Sequence, residues 1–302
     1  MKAERTIRIG DKLVGYGRPA YVIAEIGINH NGSVETAKRL IDAAAFSGCD
    51  AVKFQKRTVE VVYTPEELAK PRENPFGATN GDLKRGLEFG YEEYAEIDRY
   101  CRDRRVDWFA SCWDEASVDF IEQFDPPCYK IASACLTDLD LLRHHRSKGR
   151  PILLSTGMSD MEQIEKAVEV LGGDDLALLH CTSTYPSKPE ELNLTGVVTL
   201  RQRFPGVPVG YSGHEIGLAT SVAAAALGAC VIERHITLDR AMWGSDQAAS
   251  VEPHGFSRMV RDIRVIEKAL GDGRIRVFDS EIPIIQKLRR VTSPGAEAKS
   301  AR

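Results

Sequence analysis

"PILLSTGMSDMEQIEKAVEVLGGDDLALLHCTS" (151–183) reads as strand, helix, strand. Its two ends, "PILLSTGM" (151–158) and "LALLHCTS" (176–183), are short apolar runs that close in small or polar residues. Between them, "SDMEQIEKAVEVLGG" carries a capping box, with Ser159 at the N-cap and Glu162 three residues on, and closes at Gly172. Six more runs repeat the strand pattern: "YVIAEIGIN" (21–29), "AVKFQKR" (51–57), "DWFASCW" (107–113), "CYKIAS" (128–133), "VPVGYSGH" (207–214) and "CVIERHIT" (230–237). Helical patterns separate most of them. "SVETAKRLIDAAAFSG" places Val34, Ala37, Ile41, Ala44 and Ala45 on one face and stops at Gly48, and "HEIGLATSVAAAALGA" ends near Gly228. Buried strands alternating with helices make a parallel sheet. Eight of them in one domain of this length predict a (β/α)8 TIM barrel. A doubly wound open sheet is the rival, because periodicity carries no information on closure.

Two segments depart from the repeat. Residues 5–18, "RTIRIGDKLVGYGR", alternate and turn at Gly10-Asp11, which predicts an N-terminal β-hairpin covering the bottom of the barrel. The connection after strand 2 (58–106) is far longer than a usual βα loop and begins rich in Pro, Gly and charge. A long loop over a barrel mouth reads as an active-site lid, against a merely solvated insertion. The expected organisation is a single catalytic barrel over 1–290, its first 20 residues the hairpin, with a polar, disordered tail at 291–302.

The 302 residues, 43% hydrophobic and 28% charged, suit a soluble globular enzyme. A net charge of −4 with no Lys/Arg block excludes a nucleic-acid partner. No run approaches the roughly 20 apolar residues of a membrane span, and "MKAERTIRIGDK" holds no signal-peptide core. Seven scattered cysteines (49, 101, 112, 128, 135, 181, 230) without a C-x-x-C pair read as buried, reduced thiols of a cytoplasmic protein.

In a barrel of this type the chemistry sits where the strands end. The polar residues there are Glu25 with Asn29 and His30, Lys53 with Gln55, Ser111, Lys130 with Ser133, Ser155, His180 with Ser183 and Tyr185, Ser212 with His214, and Glu233 with His235. Lys53 and Lys130 lie inside apolar runs and need a partner or an anionic ligand. Ringed by Ser111, Ser133, Ser155 and Ser212, they read as an oxyanion cradle. Salt bridges to Glu25 or Glu233 and a Schiff-base lysine are the alternatives. His214 and His235 close adjacent strands and can converge on one ion. With Glu25 and Asp246 nearby they suit Mn²⁺, Fe²⁺ or Zn²⁺ better than Mg²⁺.

"IAEIGINHNG" (23–32), "VKFQ" (52–55), "YKIAS" (129–133), "STGM" (155–158), "HCTSTYP" (180–186), "GYSGH" (210–214) and "ERHITLDRAMWGSDQAASVEP" (233–253) together resemble the sialic acid synthases, in order and spacing, from about residue 20 to 270. The resemblance implies a (β/α)8 barrel that condenses phosphoenolpyruvate with an open-chain sugar aldehyde, using a divalent metal, usually Mn²⁺. It implies His214 and His235 as metal ligands, and Lys53, Ser111, Lys130, Ser133, Ser155, Ser183 and Ser212 around phosphoenolpyruvate. Glu25, Gln55, Tyr185, Glu233 and Asp246 would meet the sugar, and Glu25, Lys53, Lys130, His214 and His235 would form the catalytic set. Three departures stand out. Cys135 replaces a glutamate that contacts the sugar, Gln247 replaces the histidine of "G-x-D-H", and the barrel is expected to stand without the family's C-terminal antifreeze-like domain. Acceptors from N-acetylmannosamine-like sugars to other aldoses therefore stay open. A homodimer is expected from the family. A pyruvate-type aldolase and a catalytically silent sugar-binding homologue are the competing functions.

Overall fold

The computed structural model describes residues 6–291. Eight parallel strands form a closed barrel in chain order: β1 (Tyr21–Gly27), β2 (Ala51–Lys56), β3 (Asp107–Cys112), β4 (Tyr129–Ile131), β5 (Ile152–Ser155), β6 (Leu176–Cys181), β7 (Val209–Gly213) and β8 (Val231–His235), with β8 pairing back onto β1. Closure decides against the open sheet. Helices α1 (Val34–Phe46), α2 (Tyr91–Arg104), α3 (Glu115–Glu122), α4 (Leu139–Ser147), α5 (Met161–Leu171), α6 (Gly196–Arg203), α7 (Ala219–Ala226) and α8 (Pro253–Leu270) follow the successive strands.

Strand alternation divides the core in two. Val22, Ala24, Val52, Phe54, Tyr129, Ile131, Leu178 and Ile232 pack outward with the helices. Tyr21, Ile23, Ala51, Phe109, Leu153, Leu179 and Val231 fill the barrel interior. Ile7, Ile9 and Val14 join that inner cluster from the antiparallel hairpin Thr6–Ile9/Lys12–Gly15, which therefore plugs the end where the strands begin, as expected. Apolar side chains fill the lower interior. The inward positions further along most strands are polar.

Local details depart from the sequence reading. The capping box of α5 is formed by Asp160 and Gln163, one residue beyond Ser159 and Glu162. Met158 adopts a left-handed φ of 56°, and Ser159 donates to the Gly157 carbonyl (3.1 Å) instead of capping. In α1, capped by Ser33, the buried face is Ala37, Leu40, Ile41 and Ala44; Leu40 takes the place expected for Ala45. The long connection after β2 folds into short helices (Val59–Val62, Pro65–Ala69, Asn80–Gly86) and a hairpin (Pro71–Asn74, Gly77–Thr79). It is ordered, but none of its residues lines the cavity described below.

The first compact unit runs through Glu267 and contains the whole barrel. The described residues 268–291 belong to a second, small unit with a one-turn helix (Asp279–Glu281), the helix Ile282–Leu288 and no buried side chain. The tail expected to be disordered falls, beyond Val291, outside the described residues. No described helix is long and apolar enough to cross a membrane.

Candidate functional site

A cavity of about 230 Å³ opens at the C-terminal ends of the strands. Parallel register assembles it in rows. His235 aligns with Glu25 and Glu25 with Lys53; Gln55 aligns with Ser111 and Ser111 with Lys130; Cys181 aligns with Ser212 and Ser212 with Glu233. Every residue expected around phosphoenolpyruvate lines it, as do both metal candidates and Glu25, Gln55, Tyr185 and Glu233. Asp246 stands behind this wall, its carboxylate 3.8 Å from His235 Nδ1.

The lysines occupy different environments. Lys53 Nζ lies 2.9 Å from Glu25 and 3.5 Å from Glu233, and donates to Ser111 (2.9 Å). The salt-bridge alternative thus holds for Lys53. Burial works against its charge, but Glu233 and Glu25 outweigh burial and raise its pKa. Lys130 donates to Ser155 (2.7 Å) and the Ile131 carbonyl (3.0 Å), with Glu233 4.0 Å away. Burial, reinforced by the charge of Lys53, lowers its pKa despite Glu233. Burial would raise Glu233, yet Lys130 and Lys53 pull it down; for Glu25 burial prevails over Lys53 and the carboxyl is pushed up. Two lysines and two acidic side chains thus share one buried cluster in the cavity wall.

Two glycines make the close approaches possible. At Gly27, with φ 54° in a bulge of β1, a Cβ would fall 2.9 Å from Glu25 Oε1 and 3.1 Å from Gln55 Nε2, atoms that bond each other at 2.8 Å. At Gly157 it would fall 2.3 Å from Ser183 Oγ and 2.8 Å from Ser133 Oγ. The Gly157 amide donates to Ser133 (3.0 Å), so this backbone fixes that serine and leaves room for Ser183 beside it.

His214 and His235 face each other with ring centroids 5.4 Å apart, and Tyr185 packs on both at 4.1 and 5.7 Å. His214 Nδ1 lies 2.8 Å from the Thr182 carbonyl, which only accepts, so Nδ1 carries a proton; burial works against the ring's charge, but Cys181 and that carbonyl outweigh it and raise its pKa, and in the neutral ring Nε2 holds the lone pair. His235 Nδ1 is buried without a hydrogen-bond partner, and burial lowers that imidazole's pKa to about 3, which keeps it neutral. A neutral ring with an orphaned nitrogen, a second ring whose Nε2 offers a lone pair once it is deprotonated, and a nearby carboxylate are a donor set that fits a divalent cation. Among the described residues no group of three or more His, Cys, Asp or Glu is placed to hold a metal ion, so the protein itself offers these two imidazoles as a pair.

The other two histidines near strand ends do not reach the cavity, His180 because of strand parity and His30 because it lies in the turn beyond β1. His180 faces outward and bonds the Leu192 carbonyl (2.8 Å); His30 stacks on Phe89 at 4.1 Å, accepts from the Gly32 amide, and is held neutral by burial. Neither lines the cavity, and neither does Asn29, which braces Ile236 and Ser250. Sequence reasoning missed Trp113, Met158 and Cys181, all of which line it. Cys181 shares the inward parity of Leu179, which was the available signal. Burial would raise its thiol, but His214, 3.8 Å away, turns the shift downward to about 7. Of the departures, Cys135 is buried in the turn Ser133–Cys135 beside the cavity, while Gln247 is a buried brace bonded to Thr237 and the carbonyls of Asn29 and Trp243.

Residues 40–275 match the model of the NeuB family. The chain is 39% identical to the human N-acetylneuraminate-9-phosphate synthase over 91% of this chain and 78% of that protein. It is 36% identical to the N,N'-diacetyllegionaminic acid synthase of Legionella pneumophila, over 93% and 82% respectively. Among solved structures, the N-acetylneuraminic acid synthetase of Leptospira borgpetersenii superposes with a TM-score of 0.83 at 29% identity, covering 95% of this chain and 99% of that one. With the barrel, the cavity and these matches together, the chain belongs to the NeuB family.

Proposed function

We propose that the chain condenses phosphoenolpyruvate with an open-chain sugar aldehyde, giving a 3-deoxy-2-ulosonic acid of the nonulosonic type and phosphate. The observation that carries this reading is the pairing, in one cavity, of two buried lysines among serine hydroxyls with two converging imidazoles. The N-acetylneuraminate-9-phosphate, N,N'-diacetyllegionaminic acid and pseudaminic acid synthases among its relatives support the reaction class.

Carbon 3 of the enol attacks the aldehyde carbon, water adds at carbon 2, and the tetrahedral intermediate expels phosphate by C–O cleavage. Lys130 and Lys53 neutralise the carboxylate and phosphate of the substrate. Ser111, Ser133, Ser155, Ser183 and Ser212 give those groups directional donors, so the enol enters in one orientation. Glu25, whose raised pKa lets it hold a proton, transfers protons at the water or a sugar hydroxyl. Tyr185, Gln55 and Glu233 line the acceptor's part of the cavity, with Asp246 behind His235. His214 and His235 would hold a divalent metal, Mn²⁺ by family resemblance, and that ion supplies Lewis-acid polarisation of the acceptor carbonyl.

The test is phosphate release from phosphoenolpyruvate with Mn²⁺ and a panel of hexoses, pentoses, acylamino sugars and their phosphates. Release that depends on one acceptor class is expected. Condensation of free pyruvate, with borohydride trapping it on Lys130, would instead identify a Schiff-base aldolase; sugar binding without turnover would identify a silent homologue.

A further inference from the structure

Between the inward-facing Glu233 and His235, β8 carries Arg234, which points outward and is fully buried at 0% exposure. Its Nη1 donates to Glu215 Oε1 (2.8 Å), the Gly217 carbonyl (3.0 Å) and Ser221 Oγ of α7 (2.8 Å), and its Nη2 donates to the Glu215 carbonyl. The Glu215 carboxylate also accepts from Tyr211 OH of β7 (2.8 Å) and from Thr220. One ion pair thus ties two strands, the loop after β7 and the start of α7. Gly213 shows how closely the chain wraps it: a Cβ there would lie 2.6 Å from Glu215 Oε2 and 3.0 Å from Arg234 Cδ.

A buried ion pair is a poor way to gain stability, since well-packed apolar residues often do as well. What this pair has is position. Arg234 precedes His235 and Glu215 follows His214, so the two clamped peptides are the ones that carry the facing imidazoles. Neither charged side chain lines the cavity.

We infer that Arg234 and Glu215 are positioning residues: their ion pair locks the 213–217 backbone against β8, holding His214 and His235 at the separation that one divalent cation needs. The inference rests on the metal reading above. It is tested by titrating Mn²⁺ into metal-stripped full-length protein, following free Mn²⁺ by electron paramagnetic resonance, alongside urea unfolding and the KM for phosphoenolpyruvate. The variants are Glu215→Gln, which keeps the shape of the side chain, Arg234→Lys, and the apolar double variant Arg234→Met/Glu215→Leu. Glu215→Gln is expected to weaken Mn²⁺ binding by roughly 10- to 100-fold, with the KM for phosphoenolpyruvate unchanged. The double variant is expected to regain the wild-type urea midpoint without regaining Mn²⁺ affinity. Wild-type Mn²⁺ affinity in any folded variant would overturn the inference. A wild-type protein that binds no Mn²⁺ would overturn the metal reading itself, and this inference with it.

Discussion

Lys53 and Lys130 differ in what holds them. Lys53 sits between two carboxylates, whereas Lys130 has hydroxyl and carbonyl partners and only a distant Glu233. The less neutralised cation gains more from an incoming dianion. Replacing Lys130 by Met should therefore weaken substrate capture by about 1.5–3 kcal/mol, the range for charged hydrogen bonds, which is a roughly 10- to 150-fold rise in KM for phosphoenolpyruvate. An unchanged KM in steady-state kinetics would remove Lys130 from the cradle. Most of this site was legible from residue type and strand end alone. Its errors came from parity and from a turn: His180 sits on the outward face of β6, His30 lies in the turn beyond β1 and stacks on Phe89, and Cys181 faces inward from a run read only as buried thiol. Counting alternate positions along β6 from Leu179 would have separated Cys181 from His180.

At the scale of elements, Asp114 joins β3, α3 and the long connection. Its carboxylate caps α3 by accepting from the Ser117 amide (2.8 Å) and receives the Thr58 amide (2.7 Å) and hydroxyl (2.9 Å). Burial would raise its pKa, but the hydrogen bonds from Thr58 and Ser117 outweigh it and hold the carboxyl below its ordinary value. A depressed folded-state pKa contributes stability that is present above the unfolded value, about 3.9, and is lost as pH falls through the folded value. Asp114→Asn should lower the urea midpoint at neutral pH and flatten its decline on the acid side of about pH 4. An acid limb identical to wild type would show that Asp114 is not responsible. Helix existence was readable from periodicity, whereas the fold within 58–90 was not. The short helices and hairpin there rest largely on local contacts, such as Asp82 with Thr79 and Ala78, rather than on a repeating apolar face.

For the whole molecule, closure depends on β8 meeting β1, a pairing between residues more than 200 positions apart that no local pattern encodes. The count of eight strands made it the better expectation; the His235–Glu25 register makes it fact. The hairpin completes the barrel from below, with Ile9 at 0% exposure among the interior side chains. Ile9→Ala should cost about 2–5 kcal/mol in equilibrium unfolding, and a negligible change would mean that the plug contributes little to the core. With the lower interior filled by apolar groups, the open end is left for the proposed chemistry, in which an enol phosphate and an aldehyde would meet. The most direct measurement follows ¹⁸O placed in the oxygen that bridges carbon 2 and phosphorus of phosphoenolpyruvate, with the acceptor that supports turnover. Label leaving with the phosphate is the predicted result. Label retained in the ulosonic acid would contradict the account.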